Sequence, residues 1–144
     1  MIRLEIFGEP APQGSKRVYN GRIVEAGSKK LKPWRKAIAD AAYNLLSEEH
    51  SLITGPLKVE VDFYLPRPKS VTPKKRPDPI VPPDLDKLVR ALLDGIGQSQ
   101  VIWQDDSQVV DIEARKHYAD FTEPGAHVVI KSLPTNTELE GLTQ

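Results

Sequence analysis

Seven of the chain's 13 prolines stand between Pro66 and Pro83. Proline fixes φ and carries no N–H, so this stretch forms neither a regular helix nor a central strand. A structureless connection of this length is unusual in a small domain and is either functional or disordered. It is also basic, with Arg67, Lys69, Lys74, Lys75 and Arg76 against Asp78. It reads as a mobile basic loop, and every regular element lies before or after it.

Before the loop, Ile2, Leu4 and Ile6 alternate with Arg3 and Glu5, a strand pattern. Asn20-Gly21 between Val18-Tyr19 and Arg22-Ile23-Val24 marks a tight hairpin. Pro33 suits the first turn of a helix. Trp34, Ala37, Ile38, Ala41, Ala42, Leu45 and Leu46 follow at helical spacing, so a helix is expected from about Lys32 to Glu49. Leu57, Val59, Val61, Phe63 and Leu65 alternate with polar residues, a strand with one buried face. After the loop, Leu85, Leu88, Val89, Leu92, Leu93 and Ile96 form one apolar helical stripe that ends near Gly95 or Gly97. Val101-Ile102-Trp103 is a short apolar anchor. Strands are expected around Val110–Arg115 and Ala126–Leu133. The order predicts an α/β fold, a single compact domain whose mixed β-sheet packs with two main helices. The domain spans 1–133, and the polar stretch 134–144 reads as a loose tail.

With 144 residues the chain suits one domain. It has no cysteine, which removes disulfides, thiolate metal sites and a cysteine nucleophile. No apolar run is long enough to span a membrane, and the N-terminus lacks the apolar region of a signal peptide. A soluble cytoplasmic protein with no membrane partner is expected. Net charge is zero, yet the charges are segregated. Gly14 to Lys36 holds eight basic residues and one acid, while Asp84 to Glu113 holds seven acids against Lys87 and Arg90. Two basic stretches thus precede an acidic one. They describe either solvated surface or a carboxylate metal site beside a surface that grips phosphates.

Asp84 and Asp86 flank Leu85 directly after Pro82-Pro83. In extended chain, positions i and i+2 face the same way, and the prolines favour extension just before a helix. Both carboxylates can then share one side while Leu85 points inward, with the helix N-terminus favouring their ionised forms. Simple N-capping is the alternative. Asp105-Asp106-Ser107 supplies a second acidic group, for which ordinary turn chemistry is the alternative. Three converging carboxylates repel one another unless a cation is present. Oxygen ligands without cysteine suit Mg²⁺, with Mn²⁺ as a substitute. Such an ion activates water and stabilises the leaving oxygen of a phosphodiester.

Other signals carry less. The stretch Gly8 to Lys16 has the wrong spacing and order for a phosphate-binding loop. His50, His117 and His127 lack metal-ligand spacing. Trp34 and Trp103 read as core residues, and Ser107 has no histidine partner for a hydrolase triad.

The run Pro83 to Gly95 followed by Val101 to Val110 resembles the RusA family of Holliday junction resolvases, whose pattern is D-x-D-N-x-x-K-x-x-x-D, an apolar anchor, then D-D-x-x-V. The resemblance covers most of the chain, and its specificity lies in residues 83–110. It implies a homodimeric, Mg²⁺-dependent endodeoxyribonuclease acting on four-way branched DNA, with one acidic site per subunit. Asp84, Asp86 and Asp106 would hold the metal, with Asp105 as a further candidate. Arg90 stands where the family has a catalytic lysine, and Lys87 where it has asparagine. Arginine stays charged and is a poor proton donor or acceptor, which leaves Lys87 as the candidate stand-in for that role. Lys16, Arg17, Lys74, Lys75 and Arg76 are the candidate DNA-backbone contacts. The rival readings are a non-catalytic DNA-binding module on the same basic stretches and a metal nuclease acting on flaps or duplex ends.

Overall fold

The computed structural model describes residues 1–14, 16–25, 28–47 and 52–135, without the side chains of Lys16, Arg17, Tyr19, Ile23, Val24, Glu25, Ser28 and Ser47. The strand at the centre of the order explains the rest. β4 (Leu57–Leu65) alternates strictly, with Leu57, Val59, Val61, Phe63 and Leu65 all buried. Its partners are β6 (Gly125–Ser132), antiparallel, and β5 (Val109–Tyr118), parallel. β1 (Ile2–Phe7) adds to the far side of β6, giving a mixed sheet in the order β1-β6-β4-β5. Parallel neighbours need a crossover, and α2 (Leu85–Ser99) supplies it between β4 and β5. α1 (Ser28–Tyr43) packs against α2 on the same face.

The core lies between this sheet face and the two helices. Trp34 and Ile38 of α1, Leu88, Leu92 and Ile96 of α2, and the Ile102-Trp103 anchor are almost wholly excluded from water. Fully burying each such side chain contributes about 1.5–3 kcal/mol. The other sheet face is solvated. On it Lys58 meets Glu113 at 2.9 Å, and Asp62 accepts from both Arg115 and His117 at 2.8 Å. Tyr64 stands between His117 and His127, its ring stacked on one and tilted against the other.

The hairpin forms as predicted from β2 (Lys16–Tyr19) and β3 (Arg22–Glu25), with Asn20 and Gly21 at φ 50° and 73°. Three expectations are corrected. The first helix begins at Ser28, not Lys32, so Pro33 falls inside it and the helix forgoes the hydrogen bond that the Pro33 nitrogen lacks. It ends at Tyr43 and tightens into a 3₁₀ turn over Asn44–Ser47; positions 48–50 lie outside the described residues, as does the tail from 136 on. The second helix does not stop at a glycine. It runs through Gly95 and Gly97 to Ser99, capped by Gln100 in the left-handed region at φ 55°. Gly95 is interior because the helices meet there: a Cβ at that position would touch Ile38 at 3.0–3.3 Å.

The third correction concerns the proline-rich loop, which is irregular but pinned. Arg67 forks onto Asp120 at 2.7 and 2.8 Å, donates to the Arg76 carbonyl at 2.6 Å, and lies 4.0 Å over the Tyr118 ring. Arg76 donates to the Tyr118 hydroxyl at 2.8 Å. Bidentate arginine–carboxylate pairing fixes direction as well as distance, so both strands of the loop are tied to the end of β5.

Gly125 opens β6 opposite Phe7, where a Cβ would run into the Ile6 carbonyl oxygen. Backbone cannot yield as a side chain can. Gly125→Ala is expected to cost about 3 kcal/mol and to lower Tm by roughly 6–12 °C in a thermal melt. An unchanged melt would show that the β1–β6 pairing has slack there.

Candidate active site

Asp84 and Asp86 enter the structure where the proline loop turns into α2. Prolines 82 and 83 offer no N–H, so the carbonyls around them need donors from elsewhere. Lys116 of β5 supplies them, its Nζ donating to the Val81 and Pro83 oxygens at 2.8 and 2.9 Å. Asp84 then takes the N-cap position in extended conformation (φ −67°, ψ 141°), and its carbonyl accepts from the Leu88 N–H at 3.1 Å. Its side chain makes no capping hydrogen bond. Capping therefore does not account for this carboxylate. It is exposed, with the Lys87 ammonium 3.4 Å away. Asp86 lies in the first turn, also exposed, where the helix dipole favours its charge.

The chain after β1 packs against the same end of α2. The Gln13 N–H donates to the Lys87 carbonyl at 3.1 Å. Gly14 has φ +101°, and a Cβ there would come 2.9 Å from the Arg90 guanidinium. Glycine thus lets this segment pass beside Arg90 and lead into the basic hairpin. Pro12, Pro82, Pro83, Asp84 and Lys87 line an open pocket of about 230 Å³. Lys74 and Lys75 are exposed on the pinned loop, whereas Arg76 is occupied with Tyr118.

The second acidic group forms at the other end of α2. Buried Trp103 donates its indole N–H to Asp106 Oδ1 at 2.9 Å. Gln108 clamps the turn: its Oε1 accepts from the Gln104 and Asp105 N–H groups at 2.9 and 3.0 Å, and its amide donates to the Ile53 and Gly55 carbonyls. Asp105 accepts from the Ser107 N–H at 2.8 Å, which holds its carboxyl below the usual range. Asp106 rests on α2 at Gly97, where a Cβ would overlap its carboxylate. Burial pushes the Asp106 carboxyl above the ordinary range; Asp94 beside it pushes the same way, and the Trp103 bond only partly offsets them. Asp94 accepts from Gln13, whose Oε1 takes a 2.6 Å bond from Arg35; Arg35 also reaches Gln98. An open pocket of about 270 Å³ lies over Asp94, Asp105 and Asp106.

The structure therefore brings Asp84, Asp86, Lys87 and Arg90 together at one end of α2, and Asp94, Asp105 and Asp106 at the other. Among the described residues, no three acidic or imidazole side chains stand close enough to hold one metal ion. The donors suit a hard divalent cation in kind, but among the described residues the predicted set of Asp84, Asp86 and Asp106 does not come together within the chain. Sequence reasoning passed over Asp94, Gln108, Lys116 and Arg67. Asp94 stands at the last acidic position of the motif D-x-D…D, and Asp105 with Gln108 spells a capping box, so those two were legible. Lys116 and Arg67 act on partners more than thirty residues away.

Comparison with known proteins adds two findings. The family model described as Endodeoxyribonuclease RusA matches residues 8–131. A Bacillus subtilis (strain 168) protein named "Uncharacterized protein YqaN" is 32% identical over 146 aligned positions, covering 92% of this chain and 96% of that protein.

The raised Asp106 carboxyl has a sign that can be measured. Its folded-state proton is held more tightly than in the unfolded chain, so its contribution to stability is present at low pH and falls away as pH rises through the folded value. Asp106→Asn keeps an acceptor for Trp103 and removes the charge. The variant is expected to melt higher than wild type near neutral pH and to lose that advantage below about pH 4. A lower melting temperature at neutral pH would show that the carboxylate is structurally favourable as it stands.

Proposed function

Because the chain belongs to the RusA family of endodeoxyribonucleases, we propose that it is a Mg²⁺-dependent, homodimeric endonuclease that cuts four-way DNA junctions symmetrically. The observation that carries this reading is the Asp84 carboxylate. It sits at a helix N-terminus, exposed and unused for capping, with Asp86 two residues on and Arg90 one turn further. The fold gains only a modest helix-dipole and ion-pair term from such an arrangement, whereas a site that handles a cation and a phosphate needs it.

Asp84, Asp86, Asp105 and Asp106 are the residues that would hold the ion, with Mn²⁺ as a substitute for Mg²⁺. The metal, when bound, supplies an activated water and charge neutralisation at the phosphate. Arg90 keeps its charge at every working pH and so stabilises negative charge on the phosphate oxygens without exchanging a proton. Lys87, beside Asp84, is the group able to carry a proton. Lys74 and Lys75, with Lys16 and Arg17 of the hairpin, grip the DNA backbone, and this binding weakens steeply with salt. A two-fold dimer suits a four-way junction because two equivalent sites meet two equivalent strands.

A synthetic four-way junction tests the reading directly. Wild-type protein is expected to nick it with Mg²⁺ and only to shift it on a gel with chelator. Asp84→Asn should lose more than the roughly 10–100-fold that removal of an outer-shell partner costs, while still shifting the junction. A shift with no product under any divalent ion would identify a non-catalytic binding module instead, and a folded Asp84→Asn variant that cuts at the wild-type rate would remove Asp84 from the site.

A further inference from the structure

Phe121 is fully exposed, whereas Phe63, Trp34 and Trp103 are almost wholly buried. A scattered apolar side chain on a surface is ordinary. This one is held in place. The turn 119–124, between β5 and β6, is fixed at three points. The Ala119 N–H donates to the Leu65 carbonyl at 2.7 Å, and the Pro124 carbonyl accepts from the Gly8 N–H at 3.0 Å. Between them, Asp120 takes the Arg67 fork at 2.7 and 2.8 Å. Phe121 follows Asp120 directly, so a tethered backbone presents its ring to solvent. Little backbone freedom is left to lose when something contacts it.

The surroundings select the partner. Arg67 ties the turn to the proline loop, where it also donates to the Arg76 carbonyl, beside Lys75. Lys69, Lys74 and Lys75 are exposed on that loop. Of the two acids in the turn, Asp120 is paired with Arg67, which holds its carboxyl below the ordinary range, and Glu123 is exposed. Lys116, four residues before Asp120, grips the Val81 and Pro83 carbonyls, so the turn and Asp84 lie at the same end of the sheet.

Lysines around an apolar centre are depleted in protein–protein interfaces, whereas cations beside an aromatic face are the composition that binds unstacked nucleic acid. The cations follow the phosphates, and the ring accepts a base of any identity, because every base has a π-face. Within an unbroken duplex the bases are stacked on one another and closed to such a ring. At a branch point that stacking is interrupted. Resting on the endonuclease reading above, we propose that Phe121 is a stacking platform for a nucleobase at the branch point, and that the Arg67–Asp120 fork is the positioning device that sets it beside the basic loop and Asp84.

Binding measured in chelator tests this apart from cleavage. The affinities for a synthetic four-way junction and for a linear duplex of the same strand length are compared as a ratio. Phe121→Ala is expected to lower the junction-to-duplex ratio about 5- to 150-fold, the range that loss of one base–aromatic stack gives. Lys74→Ala with Lys75→Ala weakens both affinities alike and leaves the ratio in place, because phosphate contacts do not distinguish the two DNAs. Phe121→Trp should restore the ratio and supply a signal of its own. Trp34 and Trp103 are buried, so fluorescence quenched by the junction and not by the duplex comes from the new indole. An unchanged ratio in Phe121→Ala, or an indole that the junction leaves unquenched, overturns the stacking platform and leaves the endonuclease reading intact. So does a Phe121→Ala variant whose mass in solution changes, since the ring then serves a protein contact. A wild type that prefers the junction but never nicks it with any divalent ion overturns the endonuclease reading while the ratio and the quenching still judge Phe121. A wild type with no preference for the junction overturns both.

Discussion

Everything in this fold depends on burying one face of β4. Its five alternating apolar residues sit mid-sheet and must be covered. Its parallel neighbour β5 can be reached only by a crossover. α2 meets both demands at once, with Leu88, Leu92 and Ile96 turned to the core. The same helix then sets the scale of the functional site. One acidic group forms where the proline loop enters it, and the other where the chain leaves it and turns on Trp103.

The two ends are built differently, and the difference is electrostatic. At the N-terminal end the carboxylates are exposed, favoured by the helix dipole, and within reach of Lys87 and Arg90. At the C-terminal end Asp106 is half-buried against Gly97 with Asp94 beside it, so its ionised form is disfavoured. A neighbouring cation would reverse that preference, because it rewards the charge that burial penalises. A protein that spends stability on holding such a carboxylate in place has a use for it other than packing. Gln108 and the chain Arg35–Gln13–Asp94 hold the turn and its acidic neighbour in position.

The regular elements were legible because their signals are local. The strict alternation of β4, the Asn20-Gly21 turn and the apolar stripe of α2 all appear in the structure where the residues put them. The misreadings share one physical origin. Gly95 and Gly97 looked like a helix end, but they are glycines because Ile38 and Asp106 come too close for a Cβ. The basic loop looked mobile because Arg67 and Asp120, which pin it, are far apart in the chain. Val110 and Ile112 alternate with charged residues in the expected strand, and the structure adds that both are exposed.

The amino-acid sequence by itself determined the α/β class, the identity of the acidic residues and the basic character of the proline loop. Each of these rests on short-range patterns: side-chain periodicity, the missing N–H of proline, and charges counted along a stretch. Only the tertiary structure decided that the acidic residues occupy opposite ends of one helix. Spacing along a chain constrains direction over a few residues, whereas distance across a fold depends on how packed elements are laid against one another.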